Sequence, residues 1–151
     1  MDSAEHQLEA FLAKYDPPIQ ESARVVRARL EELVPGAVEL VYDNYNGLVL
    51  GFGPTERPSE AILSMLLQPK WVTLCFLRGA TLPDPHGLLR GSGSQVRNIR
   101  LMSPGDLEAP PVLALIREAV LRSEPAFDPA QDRRLIVRSV SAKQRPRRPK
   151  S

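Results

Sequence analysis

Residues 37–53, AVELVYDNYNGLVLGFG, place two apolar runs on either side of a short polar turn. In the first run Val38, Leu40 and Tyr42 alternate with other residues, the period-two pattern of a strand. DNYNG then supplies turn chemistry, with Asn46-Gly47 able to take positive φ. The second run, GLVLGFG, is a strand whose glycines imply a close neighbour or a bulge. Two strands joined by so short a connection pair antiparallel, which sets the expectation of an antiparallel sheet.

Upstream of this hairpin the period changes to that of a helix. Leu8, Phe11, Leu12 and Tyr15 share one face of a first helix. Asp16 before Pro17 reads as an N-cap followed by proline at the first helical position. The second helix directs Ile19, Ala23, Val26, Leu30 and Leu33 inward, and Pro35-Gly36 stops it. Downstream, GPTERPS breaks the strand pattern, and SEAILSMLLQ is a third strand or an irregular edge. WVTLCFL (71–77) is the most apolar strand and is expected at the centre. SQVRNIRLM (94–102) alternates as a fifth strand. A third helix starts near Ala109-Pro110-Pro111 and turns Val112, Leu115, Ile116 and Ala119 inward.

This order predicts an α+β domain over residues 1–122: an antiparallel sheet of about five strands with N- and C-terminal helices packed on one face. Residues 123–131 then read as a linker and 132–141 as a β-like segment with Leu135 and Val137 on one side. That segment pairs in its own chain or in a partner's, a choice between monomer and homodimer. Residues 142–151 are a basic tail too polar to fold alone, expected to be disordered.

Composition bounds the function. The chain has 151 residues, 42% hydrophobic and 25% charged, enough for one core. No apolar run approaches the ~18 residues needed to span a bilayer, and the acidic start MDSAEHQ is no secretory signal, so a cytoplasmic protein without a membrane partner is expected. One cysteine and two histidines exclude a closed Cys/His zinc site within one chain. Cys75 reads as a small buried hydrophobe. The net charge of +2 is uneven: KQRPRRPK (143–150) carries five positive charges, and the remainder has a formal charge of −3. Lys143, Arg145, Arg147, Arg148 and Lys150 could hold phosphates weakly and without regard to base sequence, or simply solubilise the end of the chain.

The densest chemistry lies in LRGATLPDPHGLLRGSGSQVRNIRL (77–101). Spaced glycines let backbone N–H groups converge on an oxygen, and arginines add bidentate charge-assisted bonds. Arg78, Gly79, Asp84, Gly91, Gly93 and Arg97 are therefore candidates for contact with a small anionic ligand or an acidic partner. The same residues equally describe sharp turns, with Asp84 pairing Arg78 or Arg97 to shape the loop. No P-loop or dinucleotide fingerprint is present. His86 reads as a surface loop residue, and no catalytic set stands out, so a non-enzymatic binding or accessory domain is expected, with no cofactor evident from the residues.

The spacing of Phe76, Arg78, Gly79, Leu82, Pro83, Asp84, Pro85, Gly87, Leu88, Leu89, Gly91, Gly93 and Arg97, after PKWVTLCF and before the helix PPVLALIREAV, resembles the YdhG-like family. These are small bacterial domains mostly of unknown function. The likeness extends more loosely from Leu8 to Arg122. It implies a compact α+β fold related to frataxin. Because some members are described as frataxin-like intracellular iron chaperones, it also implies iron as a possible cargo, with Glu5 and Glu9 among the helical carboxylates as candidate metal ligands.

Overall fold

The computed structural model describes residues 3–149. Two helices, α1 (Ala4–Leu12) and α2 (Pro17–Leu33), precede five strands: β1 (Val38–Asp43), β2 (Leu48–Gly53), β3 (Leu63–Leu67), β4 (Val72–Phe76) and β5 (Arg97–Leu101). The helix α3 (Pro110–Leu121) and a last strand, β6 (Arg134–Val140), complete the chain. The sheet order is β5-β4-β3-β2-β1-β6.

Each neighbouring pair from β1 to β5 is antiparallel, through short turns after β1 and β3 and across the long loop between β4 and β5 alike. β6 is different. It lies parallel to β1, so the sheet has six strands and is mixed rather than purely antiparallel with about five. The reason is the path between α3 and β6. Residues 122–133 carry the chain across the domain, so that β6 enters alongside β1 instead of folding back from it. Gln131 fastens this connection by donating from Nε2 to the carbonyls of Gly36 (2.8 Å) and Pro54 (3.3 Å). Residues 132–141 thus pair within their own chain, with a register shift opposite Val41/Tyr42.

Strand centrality also departs from expectation. WVTLCFL forms β4, second from the edge, while SEAILSMLLQ forms β3, an inner strand. Apolar content did not rank the strands, because β1 to β4 all bury one complete face. That face is Val41, Leu48, Leu50, Phe52, Leu63, Met65, Leu67, Val72, Leu74 and Phe76, packed against Leu8, Phe11 and Leu12 of α1, the expected face of α2 and Leu115 and Ile116 of α3. Burying each such side chain contributes on the order of 1.5–3 kcal/mol. On the opposite face Leu40, Gly51, Ser64, Cys75 and Asn98 stand in register across five strands. Burial pushes the Cys75 thiol up, and Ser64 hydrogen-bonds to it.

Local signals were partly redirected. Gly36 takes φ +78° and ends α2 as the Pro-Gly pair requires. The β1–β2 turn closes with Asn44 N–H donating to the Gly47 carbonyl (3.1 Å), without positive φ at Asn46 or Gly47. Asp16 occupies the N-cap position of α2 but makes no side-chain cap bond; its carboxylate accepts from Arg148 at 3.0 Å instead.

The end of the chain differs most from its expectation. Residues 142–149, expected as a disordered basic tail, fold back over the α1–α2 junction and the β1–β2 turn. Ser141 N–H donates to the Asp43 carbonyl and Arg145 N–H to the Tyr45 carbonyl, both at 2.9 Å. Arg147 is only 6% exposed and donates to Asp43, itself fully buried, at 2.9 Å. A segment too polar to build a core has docked by supplying counter-charge to a buried carboxylate.

Candidate ligand-binding site

The arginine- and glycine-rich connection between β4 and β5 is assembled around its own groups. After Phe76, Leu77 N–H donates to the Ile62 carbonyl at 2.9 Å, and a single 3-10 turn spans Gly79–Thr81. Gly79 is buried against β5: a Cβ there would stand 2.6 Å from the Cβ of Arg97. Only glycine allows this approach. Ala80 N–H then reaches the Gln95 carbonyl at 2.9 Å, tying the two ends of the loop.

Asp84 is the anion this loop holds. Its Oδ1 accepts from Leu88 N–H and its Oδ2 from Leu89 N–H, both at 2.9 Å. Neither Arg78 nor Arg97 pairs with it, so it shapes the loop through backbone amides. Arg97 also turns inward, donating from Nη1 to the carbonyls of Gly93 (2.6 Å) and Val96 (2.9 Å). Gly91, at φ +122°, brings the chain past the Val96 carbonyl. Gly93 faces open space. Asp84, Gly91, Gly93 and Arg97 therefore form a self-satisfied loop, and the structure does not bring them together around a free anion position. Of the remaining guanidinium groups, Arg100 lies over the Trp71 ring at 3.7 Å.

Arg78 is placed differently. It stands on the wall of a cavity of about 270 Å³ at the end of β4, floored by Ile62, Phe76, Leu82 and Ala119 and bordered by Thr81, Arg122 and Glu124. Among the described residues its guanidinium makes one hydrogen bond, from Nη2 to the Ser59 carbonyl at 3.2 Å, and no carboxylate pairs with it. Arg122 is committed: Nε donates to Glu118 (2.9 Å) and Nη1 to the Thr81 carbonyl (2.7 Å), joining the last turn of α3 to the 3-10 turn. Sequence reading found Arg78 but missed Arg122 and Glu124. Both lie at the boundary between helix and linker, where no periodicity marks a wall residue.

A larger hollow of about 400 Å³ lies between residues 83–88 and the first turns of α3. Its walls include Pro83, Pro85, Pro110 and Pro111, and its two carboxylates are already spent, Asp84 on the loop and Glu118 on Arg122.

The helical carboxylates face arginines. Glu9 accepts from Arg24 at 2.9 Å and Glu5 from Arg27 at 2.9 Å. Arg27 also donates to Glu39 at 2.8 Å and approaches Glu31 at 3.6 Å, so a guanidinium occupies the space between three carboxylates. The bond from Arg27 holds the Glu5 carboxyl below its ordinary range. Burial pushes Glu39 up to about 7; the bond from Arg27 works against this and the bond with Glu31 adds to it. Among the described residues, no group of three or more His, Cys, Asp or Glu side chains is placed to hold a metal ion.

The basic end is largely occupied as well. Arg147 is buried on Asp43; Arg148 pairs with Asp16 and donates to the Lys14 carbonyl (3.2 Å); Arg145 lies 5.6 Å above the Tyr45 ring. Lys143 is exposed, and Lys150 lies outside the described residues. Among the described residues no helix is long and apolar enough to cross a membrane. No family model, curated protein or solved structure matches the chain, so the resemblance to the YdhG-like family stands on the motif residues alone.

Proposed function

We propose that this chain is a non-enzymatic binding domain that takes a small carboxylate-bearing molecule with an apolar body, held by Arg78 at the end of β4. The observation that carries this reading is an arginine without a carboxylate partner on the wall of an apolar cavity. Concave apolar sites with few, placed polar groups are where small ligands bind. A guanidinium bordering a low-dielectric floor favours a carboxylate through paired N–H donors. The glycine-rich loop serves this site from behind. By closing on Asp84 and by seating Gly79 against β5, it holds the 3-10 turn from which Arg78 projects.

Calorimetric titration with 4-methylpentanoate tests the reading. Saturable binding is expected for the parent chain and for Arg90→Ala, whose side chain lies outside this cavity, and it is expected to be lost in Arg78→Ala. Absence of saturable binding at millimolar concentration, or equal binding by the Arg78→Ala variant, overturns it.

A further inference from the structure

The cavity under Arg78 carries a second unpaired charge. Glu124, just beyond the end of α3, lines the same space, and among the described residues neither Arg78 nor Glu124 makes an ion pair, with each other or with a third group. The other guanidinium on the wall, Arg122, is neutralised by Glu118 at 2.9 Å. The four side chains sum to no net charge, yet one positive and one negative group stand free on an apolar floor. A simple anion meets attraction from Arg78 and repulsion from Glu124. Arg78 and Glu124 are both exposed, and a molecule bearing both a carboxylate and an ammonium gives each a partner as it covers them.

We infer that the ligand is a free amino acid with an apolar side chain: carboxylate on Arg78, ammonium on Glu124, side chain over Phe76 and Leu82. This inference rests on the carboxylate-binding reading above and specifies it further. Size agrees. A cavity of about 270 Å³ sits at the small end of the ~300–1,000 Å³ typical of small-ligand sites, which suits a ligand no larger than a free amino acid.

The test compares three probes on the full chain by calorimetry: L-leucine, 4-methylpentanoate, which lacks the ammonium, and 3-methylbutylamine, which lacks the carboxylate. Leucine is expected to bind about tenfold or more tighter than either, the scale of one charge-assisted hydrogen bond. Glu124→Gln is expected to bring leucine down to the level of 4-methylpentanoate while leaving 4-methylpentanoate no weaker. Arg78→Ala is expected to abolish binding of both. Equal affinity for leucine and 4-methylpentanoate, unchanged in Glu124→Gln, overturns the amino-acid inference and leaves the carboxylate reading standing. Binding of 3-methylbutylamine as tight as that of leucine, or no binding of any probe, overturns both.

Discussion

Replacing Arg147 by alanine removes the guanidinium that holds the end of the chain to the domain. Arg147 donates to the Asp43 carboxylate and to the carbonyls of Asn44 and Tyr45, and Asp43 has no exposure to water. Removing one partner of a buried ion pair costs about 3–5 kcal/mol, because the other charge is left in a poor medium. Two features reduce the figure. Lys14 remains on Asp43 at 2.8 Å through a side chain that is 41% exposed, so the carboxylate keeps one counter-charge. Arg147 Nε is buried with no partner, a cost that the alanine variant relieves. The expected loss is therefore ~2–3 kcal/mol. In urea it appears as a lower midpoint at unchanged slope, and in a thermal scan as a fall in Tm of roughly 4–12 °C. A double-mutant cycle with Asp43→Asn is expected to give a coupling of ~1–3 kcal/mol, as for residues sharing one network. A loss below ~0.5 kcal/mol together with no coupling is what an exposed surface arginine gives, and it would refute the docking of residues 142–149.

Three further perturbations follow from the same contacts. Tyr15 Oη donates to the Leu67 carbonyl (2.9 Å) and accepts from Leu48 N–H (3.0 Å) inside the core, so Tyr15→Phe is expected to cost ~1–3 kcal/mol in urea unfolding, and a cost near zero would refute that bridge. Asp84→Ala strips the Leu88 and Leu89 N–H groups of their acceptor; faster proteolytic cleavage within residues 83–93 is expected, and an unchanged cleavage rate contradicts the role given to Asp84. Glu39 is 2% exposed and its carboxyl is raised by burial to about 7 in the folded state, above its ordinary value of 4.5. The folded chain thus binds the extra proton between these values. The stability this contributes is full below about pH 4.5 and is lost as pH rises through about 7. The Glu39→Gln variant, having no such proton, is expected to gain stability relative to the parent from pH 5 to pH 8, and a difference independent of pH argues against the shift.

The loop of residues 77–101 shows where legibility ended. Its turns were readable, since Gly87 at φ +62° and Gly91 at φ +122° are positions that other residues rarely adopt. Its partners were not. Arg97 and Asp84 carry the residue types of an anion site, but each satisfies a neighbouring stretch of backbone, and composition does not distinguish a group aimed at a ligand from one aimed at its own chain. Arg78 differs from Arg97 only in that β4 ends beside an apolar hollow made by Ile62 and by α3, more than a dozen residues away in either direction.

Periodicity alone determined which helical residues face the core: the apolar faces of α1, α2 and α3 are buried where the spacing placed them, because the 3.6-residue repeat is a property of the backbone and needs no knowledge of neighbours. In β1 alternation separated the two faces without saying which meets the helices: Val41 does, and Val38, Leu40 and Tyr42 lie on the far side of the sheet. Tertiary structure alone decided the parallel placement of β6, the inner position of β3 and the burial of Arg147. Each depends on which distant surface a segment meets. Residues 143–149 make the point physically: KQRPRRP has no apolar face of its own, and it is held by a carboxylate on β1 that the fold had already buried.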